Sequence, residues 1–156
     1  MRARHAVAGL ATIVTAVVGL GLATAGSASA VETGSWSPFG NTNPITSSSS
    51  RWACGDTTPV ATSVIAQVCA IRSSDQVDVQ AAVIVRNNRS TQFVAPETSM
   101  NLEILGTPFN SWACPSSGLA ANSWSVCFGT TQHVDGPEVQ SAGHVGTTDL
   151  GTSRLV

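Results

Sequence analysis

Five side chains able to ligate a metal, His133, Asp135, Glu138, His144 and Asp149, fall within seventeen residues near the C-terminus. Imidazole and carboxylate are the donors that zinc and calcium sites use. Their spacing follows neither a zinc frame nor a calcium loop. A Gly- and Thr-rich tail carries such residues as ordinary solvated surface, so no metal ligand and no cofactor is assigned. His133 and His144 are also the only histidines after residue 30, and a Ser/His/Asp hydrolytic site would have to use one of them. No G-x-S-x-G turn is present, and His133-Val134-Asp135 before Gly136-Pro137 reads first as a turn. Glycoside cleavage needs two facing carboxylates. Asp56, Asp75, Asp78, Glu97, Glu103 and Asp135 are the stock, but Asp78 and Glu103 fall on polar faces of strands and read as solubilising charge. No catalytic residue is assigned, and the chain is expected not to be an enzyme.

Aromatic rings are the remaining means of recognition. Trp52 and Trp112 each stand two residues before a cysteine, so in a strand they share its face. A Trp packed on a disulfide is the usual sandwich core, and both are expected there. Trp124 alternates with Val126 and Phe128 and is expected in the core too. That leaves Trp36, in the polar stretch Trp36-Ser37-Pro38-Phe39-Gly40, as the most exposed ring and the candidate ligand contact. The blander role for Trp36 and Phe39 is to tack this stretch onto the domain. One ring is little for a carbohydrate site, which wants several with polar neighbours.

The elements that hold these residues are built on a frame used twice. Ser50-Arg51-Trp52-Ala53-Cys54 recurs as Asn110-Ser111-Trp112-Ala113-Cys114, and each copy is followed by a turn and a run ending in Val68-Cys69 or Val126-Cys127. All four cysteines belong to it. An even number in an exported chain reads as two disulfides, and there is no C-x-x-C pair to suggest a metal site. Two similar frames should solve the same local problem in the same way, which predicts Cys54–Cys69 and Cys114–Cys127. The alternative links the frames across two sheets, pairing Cys54 with Cys114 and Cys69 with Cys127.

Arg2, Arg4 and His5, an uncharged run over residues 6–25 and Ala28-Ser29-Ala30 form the pattern of a secretory signal peptide over residues 1–30. Its removal leaves 126 of the 156 residues, with five Arg against nine Asp plus Glu, a formal charge of −4. Without a clustered positive field such a chain is not expected to bind nucleic acid, nor a membrane once the signal is cleaved. Residues 31–50, rich in Ser, Thr and Asn, read as an extended or disordered lead-in. A single domain over residues 51–156 follows. Val77, Val79, Ala81, Val83 and Val85 alternate with Asp78, Gln80 and Arg86, the signature of a strand with Val83 inward and Asp78 outward. Residues 60–71 are apolar on both faces, which means burial on both or a bulge. Residues 91–95 read as a short return strand, and Pro115-Ser116-Ser117-Gly118 as a turn. Met100, Leu102 and Ile104 mark another strand, and residues 138–145 a weaker one. No sustained helical period follows residue 30. The fold class is therefore all-β: a single immunoglobulin-like antiparallel β-sandwich with two disulfides.

Val83-Ile84-Val85-Arg86-Asn87-Asn88-Arg89-Ser90 resembles a hairpin of many extracellular β-sandwich modules. The whole layout, with its signal peptide, two Trp-x-Cys frames, valine strand ending in Asn and Gly-rich C-terminus, resembles a group of short secreted proteins of high-GC Gram-positive bacteria. The resemblance implies secretion and the sandwich fold and carries no activity. Three functions are weighed. The first is a secreted, non-enzymatic module binding an extracellular protein or polysaccharide, the second a structural cell-wall or spore-surface protein without a ligand, and the third, least favoured, a small secreted hydrolase.

Overall fold

Alternating valines make the central strand. In the computed structural model, which describes residues 30–156, β6 (Asp78–Asn87) turns Val79, Ala81, Val83 and Val85 to one side, none more than 1% exposed. The expected signal peptide lies outside the described residues except for Ala30. The strands before β6 are β1 (Glu32–Thr33), β2 (Ser35–Gly40), β3 (Arg51–Cys54), β4 (Thr58–Ala61) and β5 (Val64–Arg72). After it come β7 (Phe93–Ala95), β8 (Thr98–Ile104), β9 (Thr107–Cys114), β10 (Ser117–Leu119), β11 (Ser123–Phe128), β12 (Gln132–His133), β13 (Val139–Val145) and β14 (Thr148–Thr152).

Two sheets face each other. One has seven strands, in the order β2-β11-β6-β5-β3, with β12 also on β6 and β4 also on β5. The other has five, in the order β1-β9-β8-β13-β14, and β10 with β7 forms a small ribbon. Val64, Val68, Val83 and Val85 from the first sheet meet Leu102, Trp112, Val139 and Leu150 from the second. Burying each large apolar side chain stabilises the fold by roughly 1.5–3 kcal/mol. The expected sandwich with two disulfides is present. Its sheets hold five and seven strands, against the four-and-three arrangement of immunoglobulin constant domains. All pairings among the described residues are antiparallel except that of β1 with β9.

Several expectations need correction. Residues 60–71 are not one strand, because the chain reverses at Thr62-Ser63, where Ser63 takes a φ of 58°, and β4 folds back on β5. β7 does not return along β6 but pairs with β10, whose Ser117 and Gly118 were expected in a turn. The sandwich begins at Glu32 rather than Arg51. β1 joins the five-stranded sheet, β2 the seven-stranded one, and the chain changes sheets at Gly34. A Cβ there would stand 2.8 Å from the Phe128 carbonyl oxygen and 2.9 Å from Cys114 Sγ, so only glycine fits. Composition hid these strands because pairing uses backbone groups, which polar residues carry as well as apolar ones.

The disulfides are Cys54–Cys69 and Cys114–Cys127, as the repeat predicted. They do different work. Cys54 and Cys69 are directly opposed on neighbouring strands, with Cα atoms 4.0 Å apart. Cys114 of β9 and Cys127 of β11 lie 6.0 Å apart and join the two sheets through the core.

Candidate functional site

β5, β6 and β11 are apolar on both faces, so the seven-stranded sheet has an outer apolar face as well as an inner one. On the outside, Cys69, Ile71, Ala82, Ile84 and Val126 are buried beneath Phe39, Ile45, Trp52, Trp124 and Phe128. The register sets the rows: Trp52 lies opposite Ile71, Ile84 opposite Val126, and Arg86 opposite Trp124. The Phe39 and Phe128 ring centroids are 6.4 Å apart, and Trp52 meets Phe128 edge-on at 6.1 Å.

Part of this face is strapped over. β2 and β3 stand at opposite edges of the sheet, so residues 41–50 must cross the three strands between, about 19 Å at the usual spacing. The strap buries Pro44 and half-buries Ile45 against the aromatic residues. Asn43 shapes it, with Oδ1 accepting from the Ile45 amide at 3.0 Å and its carbonyl accepting from Ser47 Oγ at 2.9 Å.

Two recesses open on the same face. The smaller, about 30 Å³, is lined by Thr57, Ile65, Gln67, Ile84, Arg86 and Trp124. The larger, about 240 Å³, is lined by Ser50, Ile71, Ser73, Asp78, Gln80 and Thr131. Arg86 stacks over the Trp124 ring at 5.3 Å, and its Nε donates to Asn88 Oδ1 at 2.8 Å. Arg86 Nη1 and Trp52 Nε1 are buried without a hydrogen-bond partner among the described residues.

The four tryptophans divide differently from expectation. Trp112 is fully buried and donates from Nε1 to Glu32 Oε2 at 2.9 Å, the core position predicted for it. Trp36, the candidate contact, turns inward, packs against the main core and donates to the Pro115 carbonyl at 2.8 Å. Trp52 shares the face of Cys54 as expected, but that face is the outer one. Trp124 is outward too, and both rings are only partly buried. Alternation shows which residues share a face; it does not show which face is inside when both are apolar.

The ionisable residues separate into pairs. His133 Nδ1 lies 3.3 Å from Asp78 Oδ1 in the seven-stranded sheet, and His144 Nε2 lies 3.7 Å from Asp149 Oδ1 in the five-stranded one. Asp135 and Glu138 are exposed between β12 and β13. Among the described residues no three His, Cys, Asp or Glu side chains are grouped to hold a metal, and neither histidine hydrogen-bonds a serine. Glu103, expected at the surface, is 8% exposed and accepts from Gln140 Nε2 at 2.8 Å. The Ser73 hydroxyl, donating to the Asp75 carboxylate, together with the Val77 amide holds that carboxyl below its ordinary value.

Two polar residues at the ends of β5 and β6 prove structural. Arg72 is 4% exposed, and its guanidinium donates to the carbonyls of Gln76 (2.7 Å), Val134 (3.2 Å) and Pro137 (2.6 Å). Asn87 is fully buried and ties two loops together. A break in the apolar pattern at the end of a strand was the only signal of either. Comparison with known proteins returns no matching family model, no matching curated protein and no matching solved structure.

Proposed function

We propose that the protein is an exported, non-enzymatic module that binds a polysaccharide on the outer face of its seven-stranded sheet. One observation carries this: Trp52, Trp124, Phe39 and Phe128 gather on one face with Arg86, Gln67 and Gln80 near them. Indole and phenyl rings stack on the C–H faces of sugars, and amide and guanidinium groups hydrogen-bond their hydroxyls. The strands fix these side chains in place, so little ordering is required on binding. The two disulfides fit an oxidising compartment and support export. A formal charge of −4 after residue 30, with no basic cluster, disfavours nucleic acid.

The test is co-sedimentation of the protein, residues 31–156, with insoluble chitin, cellulose, peptidoglycan and an insoluble polyuronate (acid-precipitated polygalacturonate). Retention by at least one polymer is expected, with Trp124→Ala folding normally and binding about tenfold more weakly. Retention by none, or undiminished binding by the variant, would contradict the proposal. A ligand-free surface protein is the second reading. Pro44 and Ile45 favour it, since they cover part of the face as a loop covers a satellite core.

A further inference from the structure

Taking the polysaccharide reading as its basis, we propose that the recess beside Trp124 is a carboxylate site, and that the bound polymer carries uronic-acid groups. Among the described residues the only basic side chains within 4 Å of a carboxylate are His133, beside Asp78, and His144, beside Asp149, so none of the five arginines is matched to a carboxylate. Arg72 is occupied by three carbonyls. Arg89 donates from Nε to the Thr62 carbonyl at 2.8 Å and stacks over Phe93 at 5.1 Å. Arg86 differs. It is fixed by Trp124 and Asn88, it lines the recess, and its only side-chain hydrogen bond among the described residues is the one from Nε, which leaves the guanidinium edge at the recess without a carboxylate or carbonyl partner. A guanidinium held in one orientation against apolar walls is prepared for a planar two-oxygen acceptor, because low dielectric strengthens the attraction and the fork needs no reordering.

The walls suit the same ligand. Ile65 and Ile84 form apolar walls, and no Asp or Glu lines the recess. Thr57 Oγ1 donates to Gln67 Oε1 at 3.4 Å, leaving the Gln67 amide nitrogen as a second donor. The recess is small, about 30 Å³, and opens beside the Trp124 ring, so it suits a compact group such as a carboxylate. In a uronic acid the carboxylate projects from the ring at C5. The ring can therefore lie on the aromatic face while the carboxylate enters the recess. The negative charge of the chain as a whole opposes non-specific attraction of a polyanion, so affinity has to come from this local site.

Calorimetric titration with oligogalacturonate, its methyl ester, a neutral cello-oligosaccharide and oligoglutamate tests this. Oligogalacturonate is expected to bind at least tenfold more tightly than its ester. Arg86→Gln should abolish that preference, Arg86→Lys should restore part of it, and the melting temperature should be unchanged in both. Gln67→Ala serves as the second variant should Arg86→Gln fail to fold, with a several-fold loss expected. Equal binding of acid and ester, or an undiminished preference in the variants, would overturn the carboxylate site and leave the stacking reading standing. Binding of no oligosaccharide would overturn both. Arg86-dependent binding of oligoglutamate as tight as that of oligogalacturonate would assign the recess to an acidic peptide and overturn the sugar.

Discussion

Asn87 holds one end of the sandwich through a single side chain. Its Nδ2 donates to the carbonyls of Thr91 (3.0 Å), Leu119 (3.2 Å) and Ala120 (2.9 Å), and its Oδ1 accepts from the Arg89 amide at 3.0 Å. Asn87→Leu would leave this buried set without partners and should cost about 2–4 kcal/mol in urea unfolding; a loss below about 0.5 kcal/mol would show that the amide is not needed. The sequence places Asn87 at the end of the valine strand but does not disclose acceptors more than thirty residues away. Asp75 makes a pH-dependent contribution. Its folded-state pKa lies below 3.8, so its stabilisation is complete above that value and is lost as pH falls through the lowered one. Asp75→Asn should therefore melt below the wild type at pH 6, and the gap should close towards pH 2. A gap independent of pH would place the effect elsewhere.

At the scale of the element, β6 was the most legible part of the chain, because valines at alternate positions opposite Asp78, Gln80 and Arg86 mark the face that turns to the main core. Val83 is fully buried in the main core. Val83→Asp should prevent folding, since an unpaired buried charge costs several kcal/mol against a total of about 5–15. Normal yield and melting temperature in that variant would mean the register is wrong. Legibility ended where apolar residues fill both faces. Ile84, Val126 and Trp124 gave no sign that the seven-stranded sheet keeps an outer apolar face, and so the candidate site was missed. The strap was missed for a related reason. Its composition is polar, and Pro44 and Ile45 are two residues among many, yet they cover the aromatic cluster.

At the scale of the whole molecule, the duplicated frame identified the cysteine partners but not their separate tasks. The local similarity of Trp-Ala-Cys to Trp-Ala-Cys says nothing about whether the next strand joins the same sheet. Cys54 is partly exposed on the outer face, whereas Cys114 and Cys127 are 0% exposed. Mild reduction of native protein followed by alkylation and mass mapping should label Cys54 and Cys69 first, with Cys114–Cys127 opening only on unfolding; the reverse order would contradict the assignment of the inter-sheet bond to the core. Each bond closes a loop of modest length and should contribute about 3 kcal/mol.

The central claim is that this outer face is the one that meets a ligand, and the indole N–H signals report on it directly. Four such signals are expected in the NMR spectrum of the chain after residue 30, one for each Trp. Titration with the polysaccharide fragment that binds should shift those of Trp52 and Trp124. The signals of Trp36 and Trp112, whose N–H groups are engaged with Pro115 and Glu32, should stay in place. Shifts confined to Trp36 and Trp112, or no shift in any of the four at saturation, would contradict the account.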